Sequence, residues 1–152
     1  MTVAEFQAEM RRRSQVVHTN LGKSVVQALN LVETTAKRGM TDTETDPDKA
    51  YPRQGGRKTH YASQDFSYPA VDTGRLRQSI THDVEQDGST VTGRVGTNVV
   101  YGAYLEFGTS KMNPRPWLKP SLAINREKIH EIIASAISGR SVEIGDIERA
   151  EE

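Results

Sequence analysis

"VDTGRLRQSITHDVEQDGSTVTGRVGT", Val71 to Thr97, is the stretch whose reading decides the fold. After Asp72-Thr73-Gly74 the chain passes through a short helical turn with Leu76 directed inward. Ile80, His82 and Val84 then alternate with polar residues, the pattern of a strand covered on one face. Asp87-Gly88 supplies a turn pair, and Val91, Gly93 and Val95 resume the alternation on a return strand. The spacing predicts a hairpin over Ser79–Thr97. So few strands make a small antiparallel sheet with an open edge, hence an α+β fold in which helices must cover the sheet.

Upstream, Thr2 and Glu5 form a capping box, and an apolar series runs through Phe6, Met10, Val17, Leu21, Val25, Ala28, Val32 and Ala36. A helix unbroken to Arg38 would be roughly 55 Å long at 1.5 Å per residue, so part of it should overhang the domain or break near Gly22. Gly39 to Ala70 shows no sustained period and is rich in Thr, Asp, Gly, Pro and Tyr; it reads as an extended arm. Its tyrosines and Phe66 would bring contact area to an interface with few rotatable bonds.

Downstream, Asn98 is placed to cap "VVYGAYLEF", where Tyr101, Tyr104 and Leu105 fall at helical spacing and Gly108 stands at the C-terminal stop. After the proline-bearing "SKMNPRP", Pro120 opens a last helix whose Leu122, Ile129, Ile133 and Ala136 form one stripe until Gly139. Residues 1–138 therefore read as a single α+β domain, with a long N-terminal helix and a C-terminal helix on the sheet and the loop 39–70 inside it. Residues 139–152 form an acidic tail.

With 152 residues the chain is large enough to bury a core without staples, and it has no cysteine for disulfides or thiolate zinc sites. Mean hydropathy is −0.63. No apolar run approaches the roughly 18 residues of a membrane span, and the N-terminus has no apolar leader, so a protein made to stay in the cytoplasm, with no membrane partner, is expected. Twenty basic and twenty acidic residues cancel, which argues against a protein devoted to neutralising a phosphate backbone. The charge is uneven, however. Residues 1–38 carry six Lys/Arg against three Asp/Glu, and 139–152 carry two against five. This suits a solvated acidic tail or head-to-tail contact between copies.

Asp72-Thr73-Gly74 is also the tripeptide of aspartic proteases. That chemistry needs two carboxylates about 3 Å apart sharing a proton in an apolar setting, whereas Arg75 and Arg77 follow Asp72 at once. Capping by Asp72 or Thr73 of the next helical turn, with Gly74 allowing close approach, is the better reading. His18, His60, His82 and His130 share no ligand spacing, and the Glu127/His130 pair is not repeated on another helix; no metal or other cofactor is expected. Arg11 to Arg13 read as a solvated or salt-bridged helix face. The loop with Arg53, Arg57, Lys58 and Tyr61, which interleaves basic and aromatic residues in "GGRKTHY", is the candidate for contact with DNA or a partner.

An ordered set of motifs remains: Asp72-Thr73-Gly74 with Leu76, Ser79 and Ile80; Val95-Gly96-Thr97; Tyr101, Tyr104 and Glu106 to Thr109; and Arg115 to Leu118 with Pro120. Together they resemble the tail-completion, or tail-to-head joining, family of long-tailed bacteriophages. The resemblance implies a non-catalytic α+β virion protein that forms a homo-oligomeric ring, a hexamer, at the neck. It implies as partners a connector or head-closure protein on one side, a tail tube or tail terminator on the other, and non-specific contact with DNA in the channel. The arm 39–70 is longer than the family's usual link. Rings gain from open sheet edges and overhanging helices. Asp72, Thr73, Gly74, Tyr101, Tyr104, Glu106, Gly108 and Trp117 are the expected structural or interface residues. Trp117 is read as core or as an interface anchor, and Glu106 is expected to bond the amides of the "GTSK" turn.

Overall fold

The computed structural model describes residues 2–52 and 58–138. Its order is α1 (Val3–Asp42), β1 (Thr45–Tyr51), β2 (His60–Ser63), α2 (Arg75–Ser79), β3 (Ile80–Asp87), β4 (Thr90–Thr97), α3 (Val100–Phe107), α4 (Leu118–Ile124) and α5 (Arg126–Ile137). The architecture is α+β, with two two-stranded sheets, β1-β2 and β3-β4.

The capping box starts α1: the Glu5 N–H donates to Thr2 Oγ1 at 3.3 Å and the Thr2 N–H to Glu5 Oε2 at 2.6 Å. The hydrogen bond from the Thr2 backbone holds the Glu5 carboxyl below its ordinary value. The helix then runs through Gly22 without a break. One interior glycine costs about 1 kcal/mol relative to alanine, too little to end a helix of this length. The burial of α1 changes along its length: Val3, Phe6, Met10 and Val16 are exposed, whereas Ala28, Val32, Ala36 and Met40 are buried.

The chain divides into two compact units. The first takes α1 up to Leu29, residues 83–94 of the β3-β4 hairpin, and α5. Here β4 lies close on α1, since a Cβ on Gly93 would meet Val25 Cγ1 at 2.7 Å and Leu29 Cδ1 at 2.8 Å. His18 Nδ1 and Gln86 Nε2 are 2.8 Å apart, and Arg94 donates across the hairpin to Glu85 at 2.9 Å. Of α5, Ile132 and Ala136 are buried. Arg12 and Arg13 pair with Glu9 on one face of α1, the salt-bridged face expected for the basic run.

The second unit spans Asn30–His82 and Val95–Asn125. Its core is Ala36, Met40, Leu76, Ile80, Val99 and Trp117, with Tyr68, Val95, Leu105 and Leu118 packed against it. Ser79 Oγ and Thr97 Oγ1, 2.6 Å apart, join the ends of β3 and β4. His82 Nδ1 lies 2.6 Å from Glu33 Oε2, and Lys37 also pairs with Glu33. Burial alone would raise the Glu33 carboxyl, but the hydrogen bonds to Lys37 and His82 outweigh it and leave it below the ordinary value.

Three expectations need correction. The arm is not irregular chain: α1 continues to Asp42, and β1 and β2 pair antiparallel with Ala50 opposite Tyr61 and Tyr51 opposite His60. No apolar alternation announces these strands, because β1 is mostly exposed and its residues have no covered face to encode. The C-terminal helix is two helices, with Pro120 the third residue of α4 rather than the opening residue of the last helix. Asn125 interrupts them, its buried amide donating to Ser121 O at 2.7 Å and Thr35 Oγ1 at 2.8 Å, a side-chain bond that competes with continued helix. Leu122, expected on the buried stripe, is exposed. Third, Asn98 does not cap α3; Val99 holds that position, its N–H donating to Thr97 Oγ1 at 3.1 Å. Gly139, the expected helix stop, and the acidic tail 139–152 lie outside the described residues.

Candidate functional site

The segment from α3 to α4 is built around Glu106. One carboxylate oxygen accepts the Trp117 and Leu118 N–H groups at 2.8 and 2.9 Å, and the other accepts the Lys119 N–H at 2.9 Å. These are the amides left unpaired at a helix start, where a negative charge is also favoured by the helix dipole. Glu106 therefore caps α4 from a neighbouring helix and not the "GTSK" turn as expected. That turn closes on itself, through Thr109 N–H to Met112 O at 2.8 Å and Lys111 N–H to Thr109 Oγ1 at 3.2 Å. Gly108 ends α3 with φ 76° and its N–H on Tyr104 O at 2.9 Å; a Cβ there would meet Met112 O at 2.9 Å. Trp117 is 3% exposed and donates Nε1–H to Gly102 O at 3.0 Å. It is core, the first of the two expected roles, and not an interface anchor, because the indole is buried and hydrogen-bonded within its own chain.

The β1-β2 hairpin is rooted by Asp65, which receives Lys49 at 2.9 Å, Asn113 at 3.0 Å and Arg115 at 3.0 Å. The Asn113 amide and the Lys49 ammonium, with Arg115 adding to them, hold the Asp65 carboxyl below the ordinary value. Arg115 is buried and also donates Nε–H to Ser63 O at 3.1 Å, so its charge arrives already neutralised. Phe66 N–H donates to Pro114 O at 2.8 Å, with Phe66 at φ 64° and its ring exposed. A bulky residue at positive φ is unusual and holds an aromatic ring outward at the base of the arm.

Between hairpin and core lies a cavity of about 390 Å³ whose lining includes Met40, Ser63, Asp72, Thr73, Arg75 and Leu76. Asp72-Thr73-Gly74 forms part of its wall, and of the two side chains expected to accept an amide of the next turn it is Thr73 that does so. Gly74 itself is the N-cap of α2, at φ 79°, and supplies no side-chain cap. Thr73 Oγ1 accepts the Arg75 N–H at 3.4 Å, a long bond. Asp72 lies 3.7 Å from His60 Nδ1 across the cavity wall, not at the cap position. Asp72 is half-exposed beside a histidine, with Arg75 and Arg77 lining the same space, whereas protease chemistry needs a second carboxylate beside the first in an apolar setting.

Tyr101 lines the cavity and is half-exposed. Tyr104 points outward with Val100 (72% exposed) and Phe107 (82% exposed), at i, i+4 and i+7 on one face of α3. Val100 was not singled out from the sequence, and Phe107 only as part of a motif, because a nearly all-apolar helical run does not reveal which of its faces is covered. Of the DNA or partner candidates, Lys58 and Tyr61 are exposed, while Arg53 and Arg57 lie outside the described residues. Asp65, Ser63 and the role of Arg115 were also missed; their partners stand about fifty positions apart, beyond any local pattern. Among the described residues no His/Asp/Glu cluster is arranged to hold a metal, and no helix is long and apolar enough to cross a membrane.

No curated protein and no solved structure matches the chain. A family model described as "Bacteriophage HK97-gp10, putative tail-component" matches residues 3–108. The match begins at the first residue of α1 and ends just past α3, so it takes in the Asp72-Thr73-Gly74 segment, the β3-β4 hairpin and α3, and stops short of the Arg115–Pro120 part of the resemblance. Covering well over half of the chain, it places this α+β protein in the HK97 gp10-like family of bacteriophage tail components.

Proposed function

We propose that this tail component is a structural neck protein: copies associate into a closed ring at the top of the tail and join it to the connector of the filled head. The observation that carries the reading is the α3 face of Val100, Tyr104 and Phe107, three large apolar side chains turned to solvent on one helix. Contiguous apolar surface of this kind is characteristic of interaction sites. The exposed stripe of α1 at Val3, Phe6 and Met10 is a second such surface. Two different surfaces on one chain suit heterologous contacts, and heterologous contacts that close give rings. A balanced net charge also suits a channel through which DNA must pass without being held. Within this reading the ring's partners are a head-closure or connector protein above and the tail tube or its terminator below. Arg53, Arg57, Lys58 and Tyr61 touch DNA only non-specifically, if the hairpin faces the channel.

The test is genetic. Disrupting the gene in an infected host should leave filled heads and finished tails unattached, or tails of abnormal length, under the electron microscope. Infectious particles of normal form would overturn the assignment. Complementation with Tyr104→Asp/Phe107→Asp should fail although the variant folds, since both side chains are exposed. For the DNA contact, Arg57→Ala/Lys58→Ala should abolish a salt-dependent affinity.

A further inference from the structure

We propose that the cavity beside Gly74 receives residues 139–152 of a second copy of this chain, bound as an aliphatic peptide flanked by carboxylates. The inference rests on the ring reading above and supplies one of its contacts. Three features of the cavity define the occupant. Its deep wall is apolar, with Met40, Leu76 and Leu105 among the lining residues. Among the described residues its basic side chains are Arg75, Arg77, Arg115 and His60, against the carboxylate of Asp72. Arg115 is engaged by Asp65 and Ser63 O. Arg77 donates to the neutral Thr41 hydroxyl at 2.9 Å, and neither it nor Arg75 makes an ion pair among the described residues, so these two can answer an incoming anion. Third, Ser63 lines the cavity, and its fully buried hydroxyl has no hydrogen-bond partner among the described residues. Buried hydroxyls are nearly always paired, so an orphan of this kind points to a group that arrives on binding.

At about 390 Å³ the space falls in the range of ligand pockets, about 300–1,000 Å³. An aliphatic side chain with its stretch of backbone fits the apolar wall and offers Ser63 a peptide group. The sequence "GRSVEIGDIERAEE" has that chemistry: Val142, Ile144 and Ile147 alternate with Glu143, Asp146 and Glu148, and acidic residues outnumber basic ones five to two. Because one chain carries both the cavity and the acidic segment, repeated use of the pair between copies gives a head-to-tail series.

A labelled synthetic peptide of residues 139–152, titrated with the full-length protein and followed by fluorescence anisotropy, tests this. Saturable binding is expected. Arg75→Glu/Arg77→Glu should weaken it about tenfold or more, as desolvated charge pairs at interfaces do. A peptide carrying Glu143→Lys, Asp146→Lys and Glu148→Lys should bind the charge-reversed protein, whose own acidic segment cannot compete, and not the native one. Ser63→Ala should weaken binding about two- to tenfold, the worth of one hydrogen bond, with no loss of thermal stability. If the charge-reversed protein fails to fold, Arg75→Gln/Arg77→Gln with the native peptide serves instead. No saturable binding, or binding indifferent to Arg75 and Arg77, overturns the proposal. Sedimentation of the native protein separates the two readings: self-association without peptide binding sinks only this cavity's role, whereas peptide binding with intact virions formed in the gene's absence sinks only the neck assignment.

Discussion

The two ends of α1 carry the same apolar rhythm and meet different fates. Ala28, Val32, Ala36 and Met40 are buried, three of them in the second unit, while Val3, Phe6 and Met10 stand in solvent on the same unbroken helix. Periodicity fixes which face of a helix is apolar, but whether that face is covered depends on what the rest of the chain brings to it. In the C-terminal half of α1 the covering elements come from residues 68–118, so the stripe there contributes to stability. The N-terminal stripe has no such cover among the described residues, which is why the same pattern is core at one end and exposed surface at the other.

Substitutions sharpen this contrast. The largest effect is expected for Trp117→Ala within the covered region, a loss of about 3–5 kcal/mol in urea denaturation, because it removes a buried aromatic and its hydrogen bond to Gly102 O together. Next comes a matched pair. Met40→Ala (2% exposed) should cost about 2–5 kcal/mol, whereas Met10→Ala (50% exposed) should stay within about 0.5 kcal/mol. Equal losses would break the comparison. Glu106→Ala should cost about 1–3 kcal/mol by leaving three α4 amides without their acceptor, measured as a fall in the thermal midpoint.

The smallest effect is a pH dependence. The folded Glu33 carboxyl lies below its ordinary value of 4.5, so the unfolded chain binds more protons and the stabilisation is complete above that value. It drains away as pH falls through the folded value. Glu33→Gln should therefore remove part of the acid-induced loss of stability, by under about 1 kcal/mol for a partly exposed cluster, in denaturation curves run from neutral pH to below pH 4.5.

The two hairpins repeat the lesson for strands. Ser79–Thr97 could be read because Ile80, Val84, Val91 and Val95 write one covered face into the sequence. The β1-β2 hairpin could not, since its strands are held by backbone pairing and by Asp65 with Arg115, Lys49 and Asn113, contacts among residues that share no motif. The site was partly legible in the same sense. Glu106 was recognisable as an amide acceptor, but which amides it meets depends on how α4 folds back. Trp117 was recognisable as an anchor, but only packing shows that it is anchored inside its own chain.

Sequence alone determined the α+β class, the capped N-terminal helix, the β3-β4 hairpin, the Gly108 stop and the family, because each rests on residues close together along the chain or on an ordered set of short motifs. Tertiary structure decided which apolar faces are covered, that β1 and β2 pair within the arm, that Asn125 divides the last helix, and that Thr73 takes the Arg75 amide while Asp72 stands beside His60. The physical reason is range: propensity, capping and alternation act over a few residues, whereas burial and buried hydrogen bonds join groups tens of residues apart, which only the folded chain brings together.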